Sequence, residues 1–121
     1  MGIQAVVDRV SEEIPGFEAL VAGGFDGGVL GSHSAGALDL GERAAEMAAM
    51  ARAYHEAYEA MGGIISMGGN DEILVTTTKH YILIRPYHQK GLYLAIAIAS
   101  SGNVGYLRLK MKRYLDEIVR G

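Results

Sequence analysis

Four histidines, fourteen acids and a glycine-rich segment are the features of this 121-residue chain that could do chemistry. His55-Glu56-Ala57-Tyr58-Glu59 approaches the helical H-E-x-x-H pattern, in which two histidines one turn apart hold zinc. Glu59 stands where the second histidine belongs, so a metal would need a third ligand from elsewhere. A helix-surface histidine beside two solvated glutamates accounts for the pattern. His33, His80 and His88 fall at strand ends or turns, where unligated polar residues are normal. The segment Gly23 to Gly28 (GGFDGG) invites a phosphate cradle. Neither G-x-G-x-x-G nor G-x-x-x-x-G-K-[ST] occurs, however, and no lysine follows these glycines, so they read as turn glycines. No serine stands in a G-x-S-x-G setting, and there is no cysteine to act as a thiol nucleophile. Asp71 and Glu72 are adjacent, hence on opposite sides of an extended chain, and make no acid/base pair. The expectation is a protein with no catalytic residues, no metal and no cofactor.

The composition points the same way. Half the residues are hydrophobic and 21% are charged, which is ordinary for one globular domain with one core. The absence of cysteine excludes disulfides and thiolate metal sites and favours a reducing compartment. A net charge of −3, without a long basic block, gives no nucleic-acid footprint. Met1-Gly2-Ile3-Gln4 does not open a signal peptide, and the longest apolar run, Leu92 to Ala99, is too short to span a bilayer. A cytoplasmic location without membrane insertion is expected.

Periodicity supplies the elements. Ile3, Val6, Val7, Val10 and Ile14 recur at helical spacing until Pro15-Gly16 ends the pattern. Two short strands follow, Phe17 to Ala22 and Val29 to His33, with Asp26-Gly27 giving the positive φ of a tight hairpin. Residues 39–61 form a long helix, with Asp39 and Glu42 as a capping box and Gly62 as its left-handed C′ residue. Gly68-Gly69-Asn70-Asp71 links it to three strands, Glu72 to Thr78, Tyr81 to Tyr87 and Leu92 to Ala99. Their short connections imply an antiparallel meander. In the last strand, Leu92, Leu94, Ile96 and Ile98 alternate with Tyr93, Ala95, Ala97 and Ala99. Both faces are apolar, so the strand is central with helices on both sides, and the alanines admit one helix closely. Ser100 to Asn103 caps a closing helix carrying Val104, Leu107, Met111, Tyr114, Leu115 and Ile118 as its stripe. Arg108, Lys110, Lys112 and Arg113 give that helix a basic outer face, which reads as a solvated surface. The order is α-β-β-α-β-β-β-α, an α+β domain spanning 1–121.

Two surfaces stand out. On the long helix, Ala44, Met47, Ala48, Met50, Ala51, Tyr54, Ala57, Tyr58 and Met61 cover about half the cylinder, more than one sheet needs. The strand after it, with Ile73, Val75 and Thr77, reads as an edge strand whose unpaired backbone groups natural proteins pair or cover. A dimer interface through Met47, Met50, Ala51, Tyr54, Tyr58, Ile73, Val75 and Thr77 is expected, while Met47, Met50, Tyr54 and Tyr58 can each also be read as plain core residues, Met47 and Tyr58 the more readily. On the opposite helix face, Glu42, Glu46, Ala49, Ala53 and Glu56 make a flat acidic surface on which a partner protein could dock.

With these residues in this order, the chain resembles the roadblock / dynein light chain family, which includes bacterial gliding-motility regulators. The resemblance rests on the helix ended by Pro15-Gly16-Phe17, the GGFDGGVLG hairpin from Gly23 to Gly31, and the long Ala/Glu-rich helix. It rests also on ILIRPY (Ile82 to Tyr87), LYLAIAIA (Leu92 to Ala99) and SSGNVGYLRLKMKRYLDEI (Ser100 to Ile118). It covers essentially the whole chain. It implies a five-stranded antiparallel sheet with the second helix on one face and the terminal helices on the other. It also implies homodimers, or heterodimers with a paralogous subunit, joined through the second helix and third strand. Such proteins serve as platforms for small Ras-like GTPases or as adaptors on motor complexes. Any stimulation of hydrolysis would come from positioning the GTPase's own residues, since no arginine finger is evident. A small-ligand sensor is the other reading; it needs a cavity between sheet and helix, against which the alternating large and small residues of the last strand argue.

Overall fold

A computed structural model describes residues 2–62 and 72–120. The elements are α1 (Ile3–Glu13), β1 (Phe17–Gly24), β2 (Val29–Ser34), α2 (Ala44–Gly62), β3 (Ile73–Thr76), β4 (His80–Tyr87), β5 (Leu92–Ala99) and α3 (Val104–Arg120). Short 3₁₀ turns at Gly41–Arg43 and His88–Lys90 precede α2 and β5. The five strands form one antiparallel sheet in the order β2-β1-β5-β4-β3. The expected α+β architecture and element order stand.

Central β5 divides the core by its alternation. Leu94, Ile96 and Ile98 join Val6, Val7, Val10, Leu107, Met111 and Ile118, so α1 and α3 cover that face. Tyr93, Ala95 and Ala97 point the other way, towards Ala44, Met47 and Ala48 of α2. The small side chains let α2 settle close on the sheet, where Tyr93 donates its hydroxyl to the Ala44 carbonyl at 3.1 Å. Burial pushes that phenol up to about 12.

Local signals explain the boundaries. Gly16 (φ 76°) follows the end of α1, and Gly27 (φ 95°) supplies the left-handed residue of the β1–β2 turn. Asp26 Oδ1 accepts from the Gly28 amide at 2.9 Å in the same turn. Asp39 Oδ1 accepts from the Glu42 amide at 3.3 Å, and Asn103 Oδ1 from the Tyr106 amide at 3.0 Å, capping α2's approach and α3. Pro86 sits in β4 opposite Tyr93 of β5, beyond Ile84, the last β4 residue paired with β3 among the described residues.

Two expectations shift, and a third is not tested. Gly62 is the last helical residue of α2 rather than a residue beyond it. The edge strand ends at Thr76, so Thr77 belongs to the β3–β4 turn. There its hydroxyl accepts from the His80 amide at 2.9 Å and its amide donates to the His80 carbonyl, a turn bonding pattern that ends the ladder. The linker Gly68-Gly69-Asn70-Asp71 lies outside the described residues.

Candidate protein-interaction surface

The candidate surface begins with how α2 is held. Ala44, Met47, Ala48 and Ala51 lie at i, i+3, i+4 and i+7 and all four are buried, the first three in one cluster with residues of the sheet. Met47 and Ala51, 7% and 0% exposed, therefore have no area left to offer a partner. Both were named for a dimer interface; burial within the chain corrects this for Ala51, and for Met47 it selects the core reading that its place in the arc also allowed.

The helix runs over β1, β5 and β4, and its two flanks differ. On one, Arg52 donates to the Phe25 carbonyl in the β1–β2 loop. His55 stacks on His88 of the 3₁₀ turn after β4, with ring centroids 4.0 Å apart, and Phe25 meets the same His88 edge-on. His55 is thus a packing residue, not the solvated surface histidine the H-E-x-x-E pattern suggested. Burial first, and the neighbouring His55 second, hold the His88 imidazole below its usual value, while Glu59 pulls the other way. This aromatic pin fixes the second half of α2 to the sheet end. Sequence reading missed it, because the partners are 33 residues apart and carry no periodic signal.

The opposite flank is open. Tyr54 is 41% exposed and Met61 49%, one above the other at i, i+7, with Met50 and Tyr58 half-buried beside them. Met50, Ile73 and Ile82 pack only partly against the α2-side core, and Val75 is likewise half-buried. Ile73 and Val75 share the α2 face of β3, whose outer edge has no strand beside it among the described residues. Met50, Tyr54 and Tyr58 on the helix flank and Ile73 and Val75 on the edge strand thus keep apolar area uncovered, the two parts of an apolar strip. Thr77 stands apart from it, in the turn. Met61 belongs with the strip and was within the helical arc, though absent from the expected site.

The third face of α2 points to solvent. Glu42, Glu46, Ala49, Ala53 and Glu56 are all exposed and form a ridge of short and acidic side chains. The helix's one arginine, Arg52, and Arg43 just before it are turned to the Phe25 carbonyl and to Glu46 (3.5 Å). On the far face of the sheet, Tyr114 donates to Glu13 at 2.7 Å, and Arg9 pairs with Glu117, tying α1 to α3. Arg108 meets Glu72 at 2.7 Å, which takes one cation out of α3's outer face. Among the described residues no group of three or more His, Cys, Asp or Glu could hold a metal ion, and no helix is long and apolar enough to cross a membrane.

No family model matches the chain, and no curated protein matches it. Solved structures do. A roadblock/LC7 domain from Streptomyces avermitilis superposes with a TM-score of 0.76 at 16% identity, covering 99% of this chain and 97% of that one. MglB of Myxococcus xanthus gives 0.81 at 17% identity, covering 98% and 85%. MglC of the same organism gives 0.64 at 21% identity, covering 98% and 97%. The chain has the roadblock/LC7 fold, in agreement with the resemblance drawn from its motifs.

Proposed function

We propose that this chain is a non-catalytic regulatory or scaffold protein of the cytoplasm that works as a dimer and binds a small Ras-like GTPase. The observation that carries the reading is the apolar strip of Met50, Tyr54, Tyr58, Ile73 and Val75. Its parts lie on a helix flank and on a strand edge unpaired among the described residues, and apolar and backbone groups of that kind are best satisfied together by a second subunit. A two-fold interface would set α2 beside α2 and β3 beside β3, continuing the sheet across a homodimer or a pair with a paralogous subunit. The fold shared with MglB and the roadblock/LC7 domains supports this.

Pairing would bring two acidic ridges, each with Glu42, Glu46, Ala49, Ala53 and Glu56, onto one side of the assembly. That double ridge is the platform assigned to the GTPase. Arg43 and Arg52 are engaged within the chain, so an effect on hydrolysis would come from ordering the GTPase's own residues rather than from an inserted arginine. Light scattering of the purified chain at about 300 mM salt, where contacts between exposed charges are screened, should give twice the monomer mass at micromolar concentration. Titration with a Ras-like GTPase from the same genome, loaded in turn with GDP and a GTP analogue, should show nucleotide-dependent binding that Glu46→Lys weakens. A stable monomer would remove the dimer, and binding to neither nucleotide form would remove the GTPase.

A further inference from the structure

The most exposed large apolar side chain outside α2 and the strand edges is Leu109, 75% exposed on the outer face of α3. It borders an open groove of about 620 Å³ lined by Lys112, Arg113, Asp116, Glu117 and Arg120. Tyr106, one turn earlier, is 37% exposed. A solvated helix face has no need of a leucine and a tyrosine in line with its cations. The α2 ridge offers the opposite character, alanines flanked by glutamates.

We propose that these two faces dock on each other between copies: the α2 ridge of one molecule seats on the outer face of α3 of the next. The charge order along the two helices selects one direction. At 1.5 Å per residue, Arg113, Asp116 and Arg120 lie about 6, 10 and 16 Å beyond Leu109. From the midpoint of Ala49 and Ala53 towards the start of α2, Glu46 lies about 7 Å away, and Arg43 and Glu42, in the 3₁₀ turn with its longer rise, about 12 and 14 Å away. With the helices antiparallel and Leu109 resting on the two alanines, Arg113 comes level with Glu46, Asp116 with Arg43, and Arg120 with Glu42. All three pairs are of opposite sign. The parallel arrangement sets only Arg113 level with a ridge acid, Glu56, and brings Asp116 level with Glu59, a like pair, so it makes fewer opposite pairs. Alanines at the crossing leave the groove that Leu109 and Tyr106 fill.

Because α2 and α3 lie on opposite faces of the sheet, the contact is head-to-tail, and each added molecule presents a fresh surface to the next. It stacks molecules into open oligomers, whatever the unit is, and it occupies the ridge assigned above to the GTPase. Self-stacking and GTPase binding would exclude one another, a storage form released by the partner. The stacking itself does not depend on the GTPase assignment.

Sedimentation velocity over a concentration series tests it, at about 50 and about 300 mM salt, where exposed charge pairs are screened. The wild type should show species larger than its basic unit at low salt and the unit alone at high salt. Glu46→Arg and Arg113→Glu should each abolish the larger species at low salt. The double variant Glu46→Arg/Arg113→Glu restores opposite signs between neighbours and should recover them. Glu46 and Arg113 are exposed, so thermal melts of all three should match the wild type. A wild type of one size at both salts, single variants that still stack, or a double variant that fails to recover would each overturn the proposal. Loss of the two-fold dimer alone would change the size of the unit, not its stacking.

Discussion

Replacing Tyr54 by alanine separates the strip on α2 from the core beneath it. At 41% exposure, and taking about 200 Å² for a tyrosine side chain, roughly 80 Å² is free to be covered by a partner. At about 25 cal/mol per Å², covering it is worth about 2 kcal/mol per copy. A two-fold interface counts it twice, so the ceiling is about 4 kcal/mol, or nearly three decades in dimer affinity. Part of that area stays covered by the remaining methyl group, and interface area converts only partly into affinity. The dimer Kd should therefore rise about 10- to 100-fold. Dilution measured by light scattering or equilibrium sedimentation reads this directly. Monomer stability should hardly change, within about 0.5 kcal/mol, when denaturation is followed at concentrations where the wild type is dissociated. Met47→Ala is the counterpart. It empties a site already closed within the chain and should cost about 2–5 kcal/mol of folding stability. An unchanged Kd for Tyr54→Ala, or a folding loss in it as large as that of Met47→Ala, would refute the division of α2 into a core stripe and a docking flank.

Three further outcomes follow from the core. Tyr93→Phe removes the hydroxyl bonded to the Ala44 carbonyl and should cost about 1 kcal/mol in denaturant titrations. The folded state keeps the Tyr93 proton up to about 12, whereas an unfolded tyrosine releases it near 10. Its contribution is therefore complete below about pH 10 and is lost as pH rises towards 12, and the variant should lack that alkaline component. His88 has the opposite sense. Its folded value is depressed, so its contribution is complete above an unfolded histidine's value of about 6.5 and is lost as pH falls through the lower folded value. Thermal melts between about pH 5 and 8 should show a shallower acid limb for His88→Gln. Ala97→Leu forces extra methylenes between β5 and α2 and should cost about 1–3 kcal/mol, while Ile96→Ala on the opposite face should cost about 2–5 kcal/mol by leaving a cavity; denaturant midpoints compare them.

What could be read in advance followed from periodicity and turn chemistry. The alternation of β5 placed it at the centre with the alanines beneath a helix, because period-2 patterning of large against small side chains has few other uses. Asp26-Gly27, Pro15-Gly16 and Asp39 marked their turns and cap, since each residue type answers one local backbone demand. The strip on α2 was legible only as a surplus. A helical projection shows how wide an apolar arc is, but not which part the sheet will take. Met47 and Ala51 fell on the taken side, Tyr54 and Met61 on the other. Thr77 was miscast because β-branched residues continue past the last paired position, where only a side-chain bond in the turn stops the ladder. The His55–His88–Phe25 contact had no local signature at all, being made by three elements that meet only once the sheet forms.

The alanines of β5 and the shortness of β3 together explain why the strip is open. Ala95 and Ala97 draw α2 down over the centre of the sheet, and the aromatic contact at His88 anchors its second half towards one end. A helix held there cannot also spread over the far edge, so Ile73, Val75 and Ile82 keep only partial cover. Larger residues at 95 and 97 would raise the helix and expose more of the centre without covering the edge. Lengthening β3 would add unpaired backbone rather than hide it. Neither change within one chain closes the strip, whereas a neighbour supplying a helix flank and a strand edge of the same kind covers both at once.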